Sequence, residues 1–130
     1  MCVNVQPLVH HLFVYGTLRR GSDNQFARML AARAEFVGKA RLQGKLLNLG
    51  QHPGAIGSDE PNDWVHGEIH RLEDPQLLAL LDDYEGPEFE RAVAPVQTSE
   101  GGTIACWIYW YVGVERGLLI ASGEWRPKEL

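Results

Sequence analysis

The stretch HLFVYGTLRRG, His11 to Gly21, decides the first element of the fold and raises the first question of function. Its opening, His11 to Tyr15, is a continuous apolar run bounded by a glycine, which reads as a buried strand. Gly16 and Thr17 break that strand. A strand that stops in a glycine-containing turn leaves successive backbone N–H groups unpaired, and such groups form a nest for an anion. Gly16 has no side chain to hold a ligand off, and Thr17 adds a hydroxyl donor. The same pattern also serves as a plain connecting turn, so on spacing alone both readings stand. The G-x-x-x-x-G-K-[ST] phosphate loop is absent.

Working outward, GSDNQFARMLAARA reads as a helix. Ser22 is the expected N-cap, with Gln25 completing a capping box, and Phe26, Met29 and Leu30 form its apolar stripe. EFVGKARLQGKLLNLG reads as one long or two short strands, with Gly38 and Gly44 as bends or bulges. His52 to Asp63 is the longest turn-rich stretch and reads as a surface loop. Trp64 to Leu72 reads as a strand. A second helix follows, capped by Asp74, with Pro75 in the first helical position and Gly86 and Pro87 stopping it. Leu77, Leu81 and Tyr84 make its apolar face, widened by Leu78 and Leu80. RAVAPVQT is a strand whose Pro95 marks an edge or a bulge. TIACWIYWYV is apolar on both faces, as a central strand would be. Its Trp107, Tyr109 and Tyr111 share one face and read as core, with room for one to wall a pocket. One more short element, RGLLIASGEW, ends the chain.

This order is not the strict alternation of a doubly wound sheet. It predicts an α+β domain: a small mixed, curved or closed β-barrel with flanking α-helices. The chain of 130 residues fits one domain, 1–130, with residues 1–10 a flexible start. Its 45% hydrophobic and 22% charged content is that of a globular protein, and its net charge of −5 argues against nucleic acid and anionic membrane as partners. Cys2 and Cys106 fit neither a metal motif nor a disulfide framework, so two free thiols are expected. The first residues lack the basic start of a secretory leader, and no apolar run is long enough to span a bilayer. A cytoplasmic protein is the expectation. His66 and His70 are i and i+4 in a strand, about 13 Å apart, too far to share a metal ion.

The second functional stretch is LDDYEGPEFER, Leu81 to Arg91. Glu85 is the last residue before the glycine that ends the helix, and Asp82 and Asp83 precede it. Three acids in the last turn oppose the helix dipole, which favours cations there. A residue that breaks a local rule without evident gain is a functional candidate. Like charges and partial burial would raise its pKa and make it a better proton acceptor. A solvated acidic helix end is the plainer alternative.

Taken together, Tyr15-Gly16-Thr17-Leu18 and the L-D-x-x-E-G segment ending in Glu85, with Phe89 and Arg91 after it, resemble the gamma-glutamylcyclotransferase-like family, also called the avirulence-induced-gene family. HPGA, VHGEIHRL and ASGEW match its short members too, gamma-glutamylamine cyclotransferases among them. The resemblance covers about Leu12 to Trp125. It implies a compact mixed β-barrel with flanking helices. It implies a small-molecule gamma-glutamyl substrate whose own α-amino group attacks its γ-carbonyl, giving 5-oxoproline and a free amine, with no metal or cofactor. Glu85 would be the general base and acid, and Tyr15, Gly16, Thr17 and Leu18 the substrate-binding turn. Glu90, between Phe89 and Arg91, adds a charge where many members carry aromatic or small residues. A monomer or weak homodimer is expected. Two other functions use the same residues: a non-catalytic sensor or binding module for a small carboxylate metabolite, and removal of a protecting gamma-glutamyl group.

Overall fold

The computed structural model of the chain describes residues 9–16, 18–19, 24–74, 76–114 and 117–125. Eight strands and two helices follow in the order β1 (His11–Val14), α1 (Gln25–Arg33), β2 (Ala34–Gln43), β3 (Lys45–Asn48), β4 (Pro53–Ile56), β5 (Trp64–Leu72), α2 (Leu77–Glu85), β6 (Phe89–Thr98), β7 (Thr103–Tyr111) and β8 (Leu118–Leu119). The expected α+β barrel with outer helices is what the chain forms. Strands β1, β5, β2, β6 and β7 are neighbours in that order, and a parallel pairing of β1 with β7 at Leu12 and Trp107 closes the ring. The other four pairings in the ring are antiparallel, so the barrel is mixed.

The apolar run at β1 is explained by burial on both sides. Phe13 points into the barrel with Val65, Ile69, Val96, Cys106 and Ile108. Leu12 and Val14 point the other way, into a second cluster with Leu30 of α1 and Leu77 and Leu81 of α2. Strand β7 is central as expected. It pairs with β6 along one edge, and β1 and β4 share the other, β1 at Trp107 and β4 at Trp110. Strands β4, β3 and β8 extend the sheet from there. The glycine bends fall where expected: the β2–β5 register shifts between Phe36 and Gly38, and Gly44 separates β2 from β3. Pro95 sits opposite Ala105 of β7, while β6 meets β2 only at Gln97 and Thr98, so its N–H-less residue faces a nearly free edge.

Several expectations are corrected. The stretch from His52 to Asp63 is not one surface loop: Pro53 to Ile56 form β4, buried as far as Ala55, because they pair with β3 along their length and meet β7 at Trp110. Helix α1 starts at Gln25, so Gln25 is its first residue and not the third position of a capping box. Its cap is Asn24, extended at φ −149° and ψ 162°, whose Oδ1 accepts from Ala27 N at 2.8 Å. Ser22 lies outside the described residues. In α2 the capping residue is Gln76, and Asp74 acts two positions earlier: its Oδ1 accepts from Gln76 N at 2.9 Å and its carbonyl from Leu77 N at 3.0 Å. Pro75 lies outside the described residues. Leu80 is 45% exposed and does not widen the apolar face. Gly86 ends α2 as expected, at φ +83°, where a side chain is strained.

Cys106 is a buried free thiol, and burial pushes its pKa up to about 12; Cys2 lies outside the described residues. Among the described residues no helix is long and apolar enough to cross a membrane.

Candidate active site

The shared edge of β7 creates the site. β1 leaves that edge after Val14 and β4 takes it up near Trp110, so the chain from Tyr15 to Arg19 turns out of the sheet between them. The Tyr15 side chain closes this gap. Its hydroxyl donates to the Tyr109 carbonyl at 2.5 Å and accepts from Ala55 N at 3.2 Å, which ties the turn to β7 and β4 together. Desolvation first, then the nearby Glu85 charge, outweigh the Ala55 hydrogen bond and hold this hydroxyl protonated. Leu18 is buried in the cluster under the helices and anchors the far side of the turn. Arg19 N donates to Gly16 O at 3.1 Å, folding the turn back on itself. Among the described residues, the Gly16 and Leu18 N–H groups donate to no backbone carbonyl.

The turn and the end of α2 open onto one cavity of about 280 Å³, lined by Tyr15, Gly16 and Leu18, by Gln51, His52 and Pro53, by Tyr84 and Glu85, and by Phe13, Val14, Phe89 and Tyr109. Of the residues expected at the site, Tyr15, Gly16, Leu18 and Glu85 therefore lie together, and Thr17 lies outside the described residues. A packing reason for glycine at position 16, not foreseen in the sequence, stands beside the expected one. A Cβ there would meet Pro53 Cγ at 2.8 Å and Cδ at 3.0 Å, so the close approach is to the start of β4.

Glu85 is partly buried, and among the described residues its carboxylate has no hydrogen-bond or ion-pair partner. Burial raises its pKa from 4.5 to about 7. The acidic neighbours are not the cause. Asp82, one turn earlier, is engaged elsewhere: Arg91 donates to it through Nε at 2.8 Å and through its NH2 group at 3.2 Å, and Tyr109 through its hydroxyl at 2.7 Å. Burial works to raise the Asp82 pKa, but the Arg91 and Tyr109 hydrogen bonds and the Arg91 charge hold it below its ordinary value. Two carboxylates in one helical turn are thus driven apart, one fixed as an anion and one poised near neutrality.

Sequence reasoning missed one wall of the cavity. Gln51, His52 and Pro53 enter it because β4 does, and the His52 and Phe89 rings meet in a tilted contact, 58° between planes and 5.7 Å between centroids. Phe89 faces in, and Glu90 alternates away from the cavity and is exposed.

The fold is a closed five-stranded mixed barrel with two outer helices, and its cavity sets the Glu85 carboxylate, without a partner among the described residues, beside a glycine turn at a strand end. The chain belongs to the family described as gamma-glutamyl cyclotransferase, AIG2-like, whose sequence pattern matches residues 12–127. It is 34% identical over 120 residues to a gamma-glutamylcyclotransferase family protein of Escherichia coli K12, covering 91% of this chain and 97% of that one. It is 29% identical over 118 residues to the gamma-glutamylaminecyclotransferase of Rattus norvegicus, covering 76% of each. Among solved structures, an AIG2-like protein from Mus musculus superposes with a TM-score of 0.65 at 31% identity, over 78% of this chain and 76% of that one. YkqA from Bacillus subtilis superposes with a TM-score of 0.72 at 28% identity, over 91% of this chain, which spans 40% of that longer one. The names of the family and of these relatives support an activity of the gamma-glutamyl cyclotransferase type.

Proposed function

We propose that the protein cyclises a gamma-glutamyl compound to 5-oxoproline and a free amine, with Glu85 as the general base and acid. The observation that carries this reading is the meeting of two distant segments at one cavity, with a carboxylate there that has no hydrogen-bond or ion-pair partner among the described residues.

The chemistry needs three things of the chain. The substrate α-carboxylate must be held, and the Gly16 and Leu18 N–H groups, with Thr17 between them, suit an anion. The α-ammonium must lose a proton, and a carboxylate titrating near 7 is matched to that task at neutral pH. The substrate must curl so that its nitrogen meets its own γ-carbonyl carbon. Walls of Tyr15, Tyr109 and Phe89 would restrict it to such near-attack conformers, an effect worth about 7–11 kcal/mol in favourable cases. Glu85 takes one proton from the ammonium, the freed nitrogen forms the new C–N bond, and the old C–N bond breaks as Glu85 gives that proton to the departing amine. Ring closure releases a second proton from the attacking nitrogen, and the same carboxylate passes it on to the amine, which leaves as an ammonium; the nucleophile lies within the substrate, so both transfers run between its two nitrogens. The leaving amine would lie against Gln51, His52 and Pro53.

The test is release of 5-oxoproline from gamma-glutamyl amino acids, gamma-glutamylamines and glutathione, by wild type and Glu85→Gln. The expected result is turnover of part of the panel and a drop of about a hundred- to ten-thousand-fold in the variant, the usual weight of a positioned acid–base group. Equal turnover by the folded variant would remove Glu85 from its role. No turnover, with thermal stabilisation by the same compounds, would favour a binding module instead.

A further inference from the structure

The cavity contains one working carboxylate, yet the same helical turn supplies another, and the fold treats the two differently. Asp82 and Glu85 are i and i+3 on α2, so their Cβ atoms are neighbours on one face, about 5–6 Å apart at such spacing. Arg91 reaches this face from β6, directly opposite Tyr109 of β7 in the strand register. Its guanidinium also stacks over Trp107, 4.4 Å from the ring centroid. Asp82 receives both arms of Arg91 and the Tyr109 hydroxyl, a bidentate, charge-assisted arrangement that fixes geometry as well as energy. Tyr109 in turn lines the cavity with Glu85, and its backbone carbonyl holds Tyr15.

We propose that Asp82 is a positioning residue for Glu85: by binding Arg91 and Tyr109 it pins the last turn of α2 to β6 and β7, and it keeps the Arg91 guanidinium off the Glu85 carboxylate. Calling Glu85 a base rests on the cyclotransferase reading; the arrangement itself does not. Helix α2 has no cation in its last turn, so Arg91 is the charge that the sheet brings to it. Tyr15 from the end of β1, His52 from the approach to β4, Tyr84 from α2 and Tyr109 from β7 are the other titratable groups lining the cavity. Desolvation first, then the Asp82 hydrogen bond, keep the Tyr109 hydroxyl protonated and therefore a donor. With Asp82 neutral, the nearest carboxylate on the same helix face for a released Arg91 is Glu85.

The experiment is a carbon-13 titration of the Glu85 carboxyl by NMR, assigned against Glu85→Gln, in wild type, Asp82→Asn, Arg91→Gln and Asp82→Asn/Arg91→Gln. Wild type should titrate near 7. Asp82→Asn should move Glu85 down by about one unit or more, as a nearby cation does to a carboxylate. Arg91→Gln leaves a bare Asp82 anion beside Glu85 and should move it up. The double variant removes both charges and should return it to within about half a unit of wild type. A structural prop alone would shift thermal stability in every variant without this pattern of signs. Titration of Glu85 at one unchanged pKa in Asp82→Asn and Arg91→Gln would overturn the proposal. Should Asp82→Asn fail to fold, the sign of the shift in Arg91→Gln decides it, upward in support and unchanged or downward against. The titration needs no turnover, so its failure is separate from any failure of the cyclotransferase reading. Where turnover is found, kcat in Asp82→Asn should fall with KM little changed, and the acidic limb of the pH profile should follow the NMR shift.

Discussion

Glu85 closes α2 against the helix dipole and sits where water is scarce, so its ionised form is disfavoured in the native state. The stability consequence has the opposite sign to that of a paired carboxylate. Its pKa rises from 4.5 in the unfolded chain to about 7 in the native one. Below the lower value both states hold the proton and nothing is lost. Between the two values the native state keeps a proton that the unfolded state has given up, so stability falls as pH rises, and the full penalty stands above the upper value. Glutamine carries no such charge. Glu85→Gln should therefore gain stability over wild type by on the order of 1–3 kcal/mol at pH 8 and by much less at pH 5. Urea melts at the two pH values measure this, and a difference that does not change with pH would contradict it. That Glu85 is a functional candidate was legible in the sequence, because an acid at that helix end breaks a local rule. Of the two causes expected for its raised pKa, burial holds and repulsion does not. Asp82 is neutralised by an arginine whose arrival depends on strand pairing.

Elements were legible where their signals were local. The continuous apolar run of β1, the stop at Gly86 and the two-sided apolarity of β7 follow from burial and backbone freedom that adjacent residues already display. Helix starts were less so, since several polar residues in a row compete to cap. In GSDN the winner is Asn24, the residue adjacent to the first helical position with its side chain on Ala27 N. Asn24→Ala should cost about 1 kcal/mol, the usual value of an N-cap. A change in urea midpoint with an unchanged slope would report it, and no change would mean that another group takes over the cap. β4 was not legible at all. PGAI carries a proline and a glycine, the signature of a loop, and becomes a strand because it pairs along its whole length with β3 and meets the edge of β7 at Trp110 beyond the end of β1.

At the scale of the molecule, one hydroxyl joins the parts that the site requires. Tyr15 links the turn after β1 to the carbonyl of Tyr109 and the amide of Ala55, across the place where two strands share one edge of a third. Tyr15→Phe keeps the ring in the cavity wall but leaves a buried acceptor and a buried donor without this partner, at a cost of about 1–3 kcal/mol. Amide exchange at Ala55 should accelerate more than at amides in β6, and uniform protection across the barrel would argue against this link. Turnover should fall as well, because the turn and the start of β4, which pack against each other, both line the cavity.

The sequence by itself determined which residues are chemically suited to act, the glycine turn and the misplaced glutamate, and that strands outnumber helices in an α+β barrel. Both follow from near-neighbour physics: apolar periodicity, backbone freedom at glycine and the field at a helix end. Only the tertiary structure decided that the two stretches share a cavity, that Pro53 packs where a side chain on Gly16 would stand, and that Arg91 belongs to Asp82. These depend on the closure of β1 on β7, segments far apart in the chain, and on the packing of α2 against the β6–β7 pair, contacts that no local pattern encodes.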